Sequence, residues 1–179
     1  MKQSGATLLE LMVVLAIAGI LLAIGVPAFA ALVQSSRLSS ATNELVGSLH
    51  LARSEAIKRN SRVVMCISET GTSCAARGGW HQGWLMFHDV NDNAALDEGE
   101  AVILTRQAFP AGFRLTGNRW ISNNIAYTPS GATRLISGVL QVGTFTLCNE
   151  SDASGMARQV IVSSTGRPRT VRTTVAACP

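Results

Sequence analysis

The sequence predicts an α+β fold, with one long N-terminal α-helix packed on an antiparallel β-sheet or sandwich head. Three observations carry this. After Glu10 no charged residue appears until Arg37. An apolar repeat at three- and four-residue steps then runs to about Asn60. Beyond it the chain breaks into short β-like runs separated by Gly, Pro, Asn and Ser. The expected organisation is a leader over residues 1–5 and a transmembrane or assembly helix over 6–33. The amphipathic half of that helix follows over 34–60, and a β-rich head over 61–179.

The stretch from Leu11 to Val33 is apolar, and as a helix at about 1.5 Å per residue it can cross a hydrocarbon core of roughly 30 Å. Glu10 stands at its entrance, where a carboxylate is costly and calls for a reason. Gly25 and Pro27 weaken the helix, since proline removes a ladder hydrogen bond and crowds the preceding turn. A bend or melted turn is expected there, tolerable where neighbouring helices cover the backbone.

Three readings of this segment compete. In a secretory signal peptide, Lys2 would supply the positive end and Ala28-Phe29-Ala30 the cleavage site. The apolar run exceeds the usual 7–15 residues or so, and Glu10 interrupts its start. In a plain single-pass anchor, Lys2 would mark the cytoplasmic side. The third reading rests on Gly5-Ala6-Thr7-Leu8-Leu9-Glu10-Leu11-Met12-Val13-Val14-Leu15. This string resembles the signature of type IV prepilins, and the resemblance implies the type IV pilin fold. It also implies cleavage between Gly5 and Ala6 by a prepilin peptidase, with N-methylation of Ala6. Family members usually carry Phe where this chain has Ala6. The prepilin reading is preferred, and it gives Glu10 a role. Buried among packed helices, its carboxylate would pair with a neighbouring subunit's N-terminal ammonium and set the register of assembly.

The second half of the helix is amphipathic. Leu38, Ala41, Leu45, Leu49, Ala52 and Ala56 form a core-facing stripe, with Arg37, Glu44, Arg53, Glu55, Lys58 and Arg59 mostly off it. Leu51-Ala52-Arg53-Ser54-Glu55-Ala56-Ile57-Lys58-Arg59-Asn60 closely resembles the helix end of the FimT/FimU minor pilins and the GspH-type secretion pseudopilins, a narrower resemblance than the N-terminal one. Eight candidate strands follow: Arg62–Ser68, Gly83–Asp89, Ala101–Arg106, Phe113–Thr116, Asn124–Tyr127, Gly143–Cys148, Arg158–Ser163 and Thr170–Val175.

Hydrophobic residues make up 47% of the chain and charged residues 15%, a balance tilted by the N-terminal segment and in keeping with an exported, anchored domain. Cys66, Cys74, Cys148 and Cys178 form an even set, and an oxidising periplasm favours two disulfides. Spacing leaves three connectivities open. The expected pairing is Cys66–Cys74, closing a short loop, and Cys148–Cys178, clamping the C-terminal tail. Zinc is disfavoured, because no CxxC or nearby His pair occurs.

Trp80, Trp84 and Trp120 are expected to be packing residues rather than base-stacking platforms. His50, His81 and His88 have no metal-ligand spacing. Asp89, Asn91, Asn93, Asp97 and Glu100 fall at oxygen-ligand places of a twelve-residue calcium loop. Ala94 stands where such a loop needs Gly, and a strand rather than a helix leads in. An Asx-rich turn is therefore preferred, with calcium a weak candidate and no cofactor expected.

From Ala153 onward there is no acidic residue, yet Arg158, Arg167, Arg169 and Arg172 occur, as many as the formal net charge of +4. Gly166-Arg167-Pro168-Arg169 lies between two candidate strands, so both guanidiniums are expected to project from one rigid loop. Fixed guanidinium forks suit phosphate recognition. This stretch resembles the DNA-binding Gly-Arg-x-Arg motif of the FimT minor pilins, which serve natural transformation. The resemblance implies a minor pilin, FimT-like, whose loop of Gly166, Arg167 and Arg169, with Arg158 and Arg172, binds extracellular DNA without sequence readout.

Its implied partners are other major and minor pilins, the prepilin peptidase, the inner membrane and DNA. The head would be periplasmic until the subunit enters an extracellular bacterial pilus. The alternatives are a FimU-like structural pilin that primes assembly and a GspH-like pseudopilin of type II secretion, neither binding DNA. No nucleophile elbow, His-Glu-x-x-His pair or phosphate loop occurs, so an enzyme is not expected.

Overall fold

A computed structural model describes residues 7–150 and 155–179. Gly5 and Ala6, the expected processing site, lie outside the described residues. The chain divides into two compact units, one ending at Arg37 and the other spanning Leu38–Pro179.

Helix α1 covers Leu8–Arg59. Its start is capped by Thr7, whose Oγ1 accepts the Glu10 backbone N–H at 3.3 Å. In the first unit, side chains from Leu8 to Leu32 are exposed almost all round the helix, as expected of a segment whose partner is lipid or other helices. It is long and apolar enough to cross a membrane. The helix persists across Gly25 and Pro27, so the expected melted turn is absent. One proline deletes one ladder bond, and here the flanking turns stay helical.

In the second unit the predicted stripe is buried in full: Leu38, Ala41, Leu45, Leu49, Ala52 and Ala56. Thr42 and Ser48 join it by returning their hydroxyls to the Leu38 and Glu44 carbonyls at 2.6 and 3.0 Å. That disposes of their polarity inside the core. The helix ends on Asn60, in the left-handed region at φ 49°, and the Ser61 N–H reaches back to the Ala56 carbonyl at 3.2 Å.

All eight expected strands form, with small shifts at their ends. They are β1 (Arg62–Ile67), β2 (Trp84–Asp89), β3 (Val102–Arg106), β4 (Phe113–Gly117), β5 (Asn124–Tyr127), β6 (Gly143–Asn149), β7 (Met156–Val162) and β8 (Pro168–Thr174). They make two antiparallel four-stranded sheets, ordered β3-β2-β1-β5 and β4-β6-β7-β8. Both contribute to one core with the helix stripe: Val63, Met65, Ile67, Trp84 and Met86 from the first, and Leu115, Phe145, Leu147, Val160 and Val162 from the second. Trp80 meets Phe145 edge to face with centroids 5.1 Å apart. Its indole N–H donates to the Ile121 carbonyl at 2.9 Å, while that of Trp84 donates to Ser48 Oγ at 3.2 Å. Trp120 is exposed instead, with the Arg119 guanidinium 4.9 Å above its ring.

Strand β1 alternates between two buried faces. Its outer residues Val64 and Cys66 cluster with Leu85, Phe87 and Ala126, covered by Cys74, Ala94 and Leu96. The disulfide Cys66–Cys74 and the acidic loop therefore shield the outer face of the first sheet. That loop consumes its own oxygens. Asp89 accepts the N–H groups of Asn93 and Ala94 at 3.1 and 2.9 Å. Asp97 accepts amide protons from Asn91 and Asn93 at 2.8 and 2.7 Å, and Glu100 accepts the N–H of Val90 at 2.8 Å. Asp92 and Ala94 take φ near +60°, so a left-handed turn forms without glycine. Among the described residues no group of three or more His, Cys, Asp or Glu side chains is placed to hold a metal. The second disulfide, Cys148–Cys178, ties β6 to the C-terminal tail.

Candidate nucleic-acid interface

The basic C-terminal region is built on the turn between β7 and β8. The Gly166 N–H donates to the Ser163 carbonyl at 2.8 Å, and the Ser163 N–H to that of Arg167 at 3.3 Å. Gly166 has φ 73°, and a Cβ there would stand 2.2 Å from the Gly131 carbonyl oxygen and 2.8 Å from Tyr127 Cε1. Gly131, at φ 76°, is less tightly bounded: its added Cβ would lie 2.9 Å from the side-chain atoms Arg53 Nε and Ile57 Cδ1. Helix α1, the turn after β5 and the β7–β8 turn thus stack through Gly131 and Gly166, and at Gly166 the Gly131 backbone leaves no room for a side chain. Beneath them, burial pushes the Tyr127 phenol well above its ordinary range, partly offset by the Arg53 charge.

The stack leaves an open groove of about 540 Å³ lined by His50, Leu51, Arg53, Ser54, Ile57 and Arg167. Neither Arg53 nor Arg167 makes an ion pair among the described residues, because the carboxylates nearby in sequence are engaged elsewhere. Glu55 is held by Arg59 and Lys58, and these contacts draw its pKa down despite some desolvation. Glu44 pairs with Arg106, and Glu150 with Arg114. Among the described residues the groove therefore carries positive charge with no acidic partner.

Arg167 and Arg169 do not share one loop. Arg167 is exposed in the turn, but Arg169 is the second residue of β8, and this corrects the single-loop reading. The physical reason is Pro168. It opens an edge strand, a position where a missing N–H is tolerated, so the strand begins earlier than a turn reading of Pro suggests. Strand alternation then separates the charges. Pro168 and Thr170 oppose the core residues Val162 and Val160, so Arg172, two places on, shares the core-side face at the sheet edge.

Arg169 opposes Ile161 and faces outward. Arg172 opposes Arg158, which is half-buried and donates to Ser39 Oγ at 2.8 Å. Desolvation, then the Arg172 charge, lowers the Arg158 pKa. Arg158 is thus partly committed to holding β7 to the helix, and of these four arginines the other three, Arg167, Arg169 and Arg172, are exposed. Arg53 went unread as a site residue, because on the helix it registered only as a charge off the apolar stripe.

A long apolar helix behind a Gly-Ala-x-x-x-Glu junction, joined to two antiparallel sheets closed by disulfides, defines a pilin-like protein. Residues 41–166 match the family described as Type II transport protein GspH, and residues 1–26 match the prokaryotic N-terminal methylation motif. The chain is 31% identical over 176 residues to the pilin-like protein PilA1 of Thermus thermophilus, covering 94% of this chain and 99% of that protein. Two crystal forms of the type IV minor pilin FimU of Pseudomonas aeruginosa have the same fold. Their TM-scores are 0.60 and 0.57 at 19% identity, covering 82% and 79% of this chain and 98% and 100% of theirs. The chain belongs to the GspH family of minor type IV pilins and pseudopilins.

Proposed function

We propose that this chain is a minor pilin of a bacterial type IV pilus that binds extracellular DNA through its β7–β8 turn and serves natural transformation. The observation that carries the reading is the exposed guanidinium of Arg167, held on a turn that Gly166 fixes against Gly131, with Arg169 and Arg172 on the adjoining edge strand. Rigid guanidinium forks offer bidentate contacts to phosphate at low entropic cost. The binding rests on contacts to the charged phosphate backbone, which carry no sequence information.

The N-terminal segment supports storage as a single-pass inner-membrane protein with a periplasmic head. Cleavage between Gly5 and Ala6 and methylation of Ala6 then prepare the helix for entry into the filament. Glu10 is assigned to register, pairing with the N-terminus of a neighbouring pilin. A mobility-shift assay of the full chain in non-ionic detergent tests the DNA reading. Wild type retards duplex DNA of any sequence, and Arg167→Ala with Arg169→Ala loses most of that retardation. Equal retardation by the double variant overturns the reading, leaving a structural minor pilin or a secretion pseudopilin.

A further inference from the structure

Arg53 lies on the solvent side of α1, and three facts place it in a site rather than on an ordinary solvated face. It lines the same groove as Arg167. Its guanidinium packs against the turn after β5, its Nε 2.9 Å from where a Cβ on Gly131 would stand. It has no carboxylate partner among the described residues, although charged neighbours on the same helix are paired. We propose that Arg53 and Arg167 form a two-jawed clamp for a single phosphate of the DNA backbone, one jaw on the helix and one on the β7–β8 turn. The proposal rests on the DNA reading above and deepens it by assigning a helix residue, far away in sequence, to the same contact.

Physical chemistry favours this assignment over a purely packing role. Two guanidiniums held in one groove without an intervening carboxylate repel each other, and a phosphate between them removes that repulsion while accepting donors from both. The groove is open, so a phosphodiester can enter from solvent without any rearrangement. Ser54, exposed in its lining, adds no competing charge, its hydroxyl donating to the Leu51 carbonyl at 2.9 Å. DNA seated here would lie across the junction of helix and edge strand, with Arg172 on the same side of the sheet. Arg169, facing outward, would then contact a different phosphate or contribute only long-range attraction.

The test is duplex-DNA affinity as a function of KCl for the full chain in non-ionic detergent, comparing wild type, Arg53→Gln, Arg53→Lys, Ser54→Glu and Arg167→Gln. Arg53→Gln is expected to weaken binding about three- to tenfold at low salt while Arg167 still neutralises the shared phosphate. Only Arg53→Gln combined with Arg167→Gln flattens the log–log slope by about one unit, the signature of one lost phosphate contact. Arg53→Lys restores most of the affinity, as a charge contact to phosphate requires. Ser54→Glu, exposed and harmless to the core, weakens binding at least as much. The effects of Arg53→Gln and Arg167→Gln are not additive when combined, since both act on one phosphate.

If Arg53→Gln and Ser54→Glu leave affinity unchanged while Arg167→Gln weakens it, the clamp is refuted and the DNA reading stands. If no variant, including Arg167→Ala with Arg169→Ala, alters binding, the DNA reading itself has failed.

Discussion

The carbonyl oxygen of Gly131 occupies the space where Gly166 would carry a side chain, 2.2 Å from the position of its Cβ. This one close approach decides where Arg167 stands. The turn is pressed onto the loop after β5, that loop is pressed onto Arg53 and Ile57, and the guanidinium emerges beside the helix.

Gly166→Ala is therefore expected to destabilise the head by about 2–3 kcal/mol, from the left-handed φ and the forced displacement of Gly131. For a domain of this size that lowers the melting midpoint by several degrees. Circular dichroism melts measure it. DNA binding should fall as well, although every arginine remains. A variant that melts like wild type would show that the approach carries no constraint.

Most of the fold was legible because it rests on periodicity. The helix stripe from Leu38 to Ala56 and the alternation in runs such as Thr144-Phe145-Thr146-Leu147-Cys148 record burial directly in residue order. The misreadings occurred where a residue has two uses. Pro168 punctuates turns but also opens edge strands, so β8 began earlier than expected and took Arg169 out of the loop. Pro27 can break a helix, yet an isolated proline leaves the flanking ladder intact. The Thr7 cap was hidden by the processing signature that overlaps it. The groove was illegible for a deeper reason, since Arg53, Gly131 and Arg167 meet only through tertiary packing and no local pattern joins them. Gln141 is similar. It is buried and saturated by the Ala126 N–H and the carbonyls of Trp120 and Asn124, a role no spacing announces.

The two disulfides should differ in weight. Cys148–Cys178 closes a separation of 30 residues and anchors the tail that follows β8, whereas Cys66–Cys74 closes 8. On loop entropy the longer closure contributes about 3–4 kcal/mol and the shorter less. Paired Cys→Ser variants compared by urea unfolding should show the greater loss at Cys148 and Cys178. The reverse order would mean that shielding of the first sheet's outer face outweighs loop closure.

Asp89 is fully buried and holds the acidic loop by accepting two backbone N–H groups, with Arg62 3.8 Å away. Burial raises its pKa in spite of those contacts. Asp89→Ala leaves both donors unpaired and is expected to cost about 1–3 kcal/mol. Hydrogen exchange should then accelerate at Asn93 and Ala94 while the β4–β8 sheet stays protected. Because the loop's oxygens already have internal donors, millimolar calcium is expected to leave the melting midpoint unchanged, and a clear rise would restore the metal reading.

Glu10 opens α1 inside the segment assigned to assembly. Glu10→Ala should leave the chain in the membrane but deplete it from sheared filaments, as immunoblots of both fractions would show. Equal incorporation would remove the register role.

The account turns on Arg167 and Arg169, and the salt dependence of DNA binding addresses them most directly. Full-length chain titrated with duplex DNA across a range of KCl should give a log–log slope near −3, for about three neutralised phosphates. In the variant carrying both Arg167→Ala and Arg169→Ala it should shrink by about one to two units. A wild-type slope near zero, or one that both substitutions leave unchanged, would contradict the account.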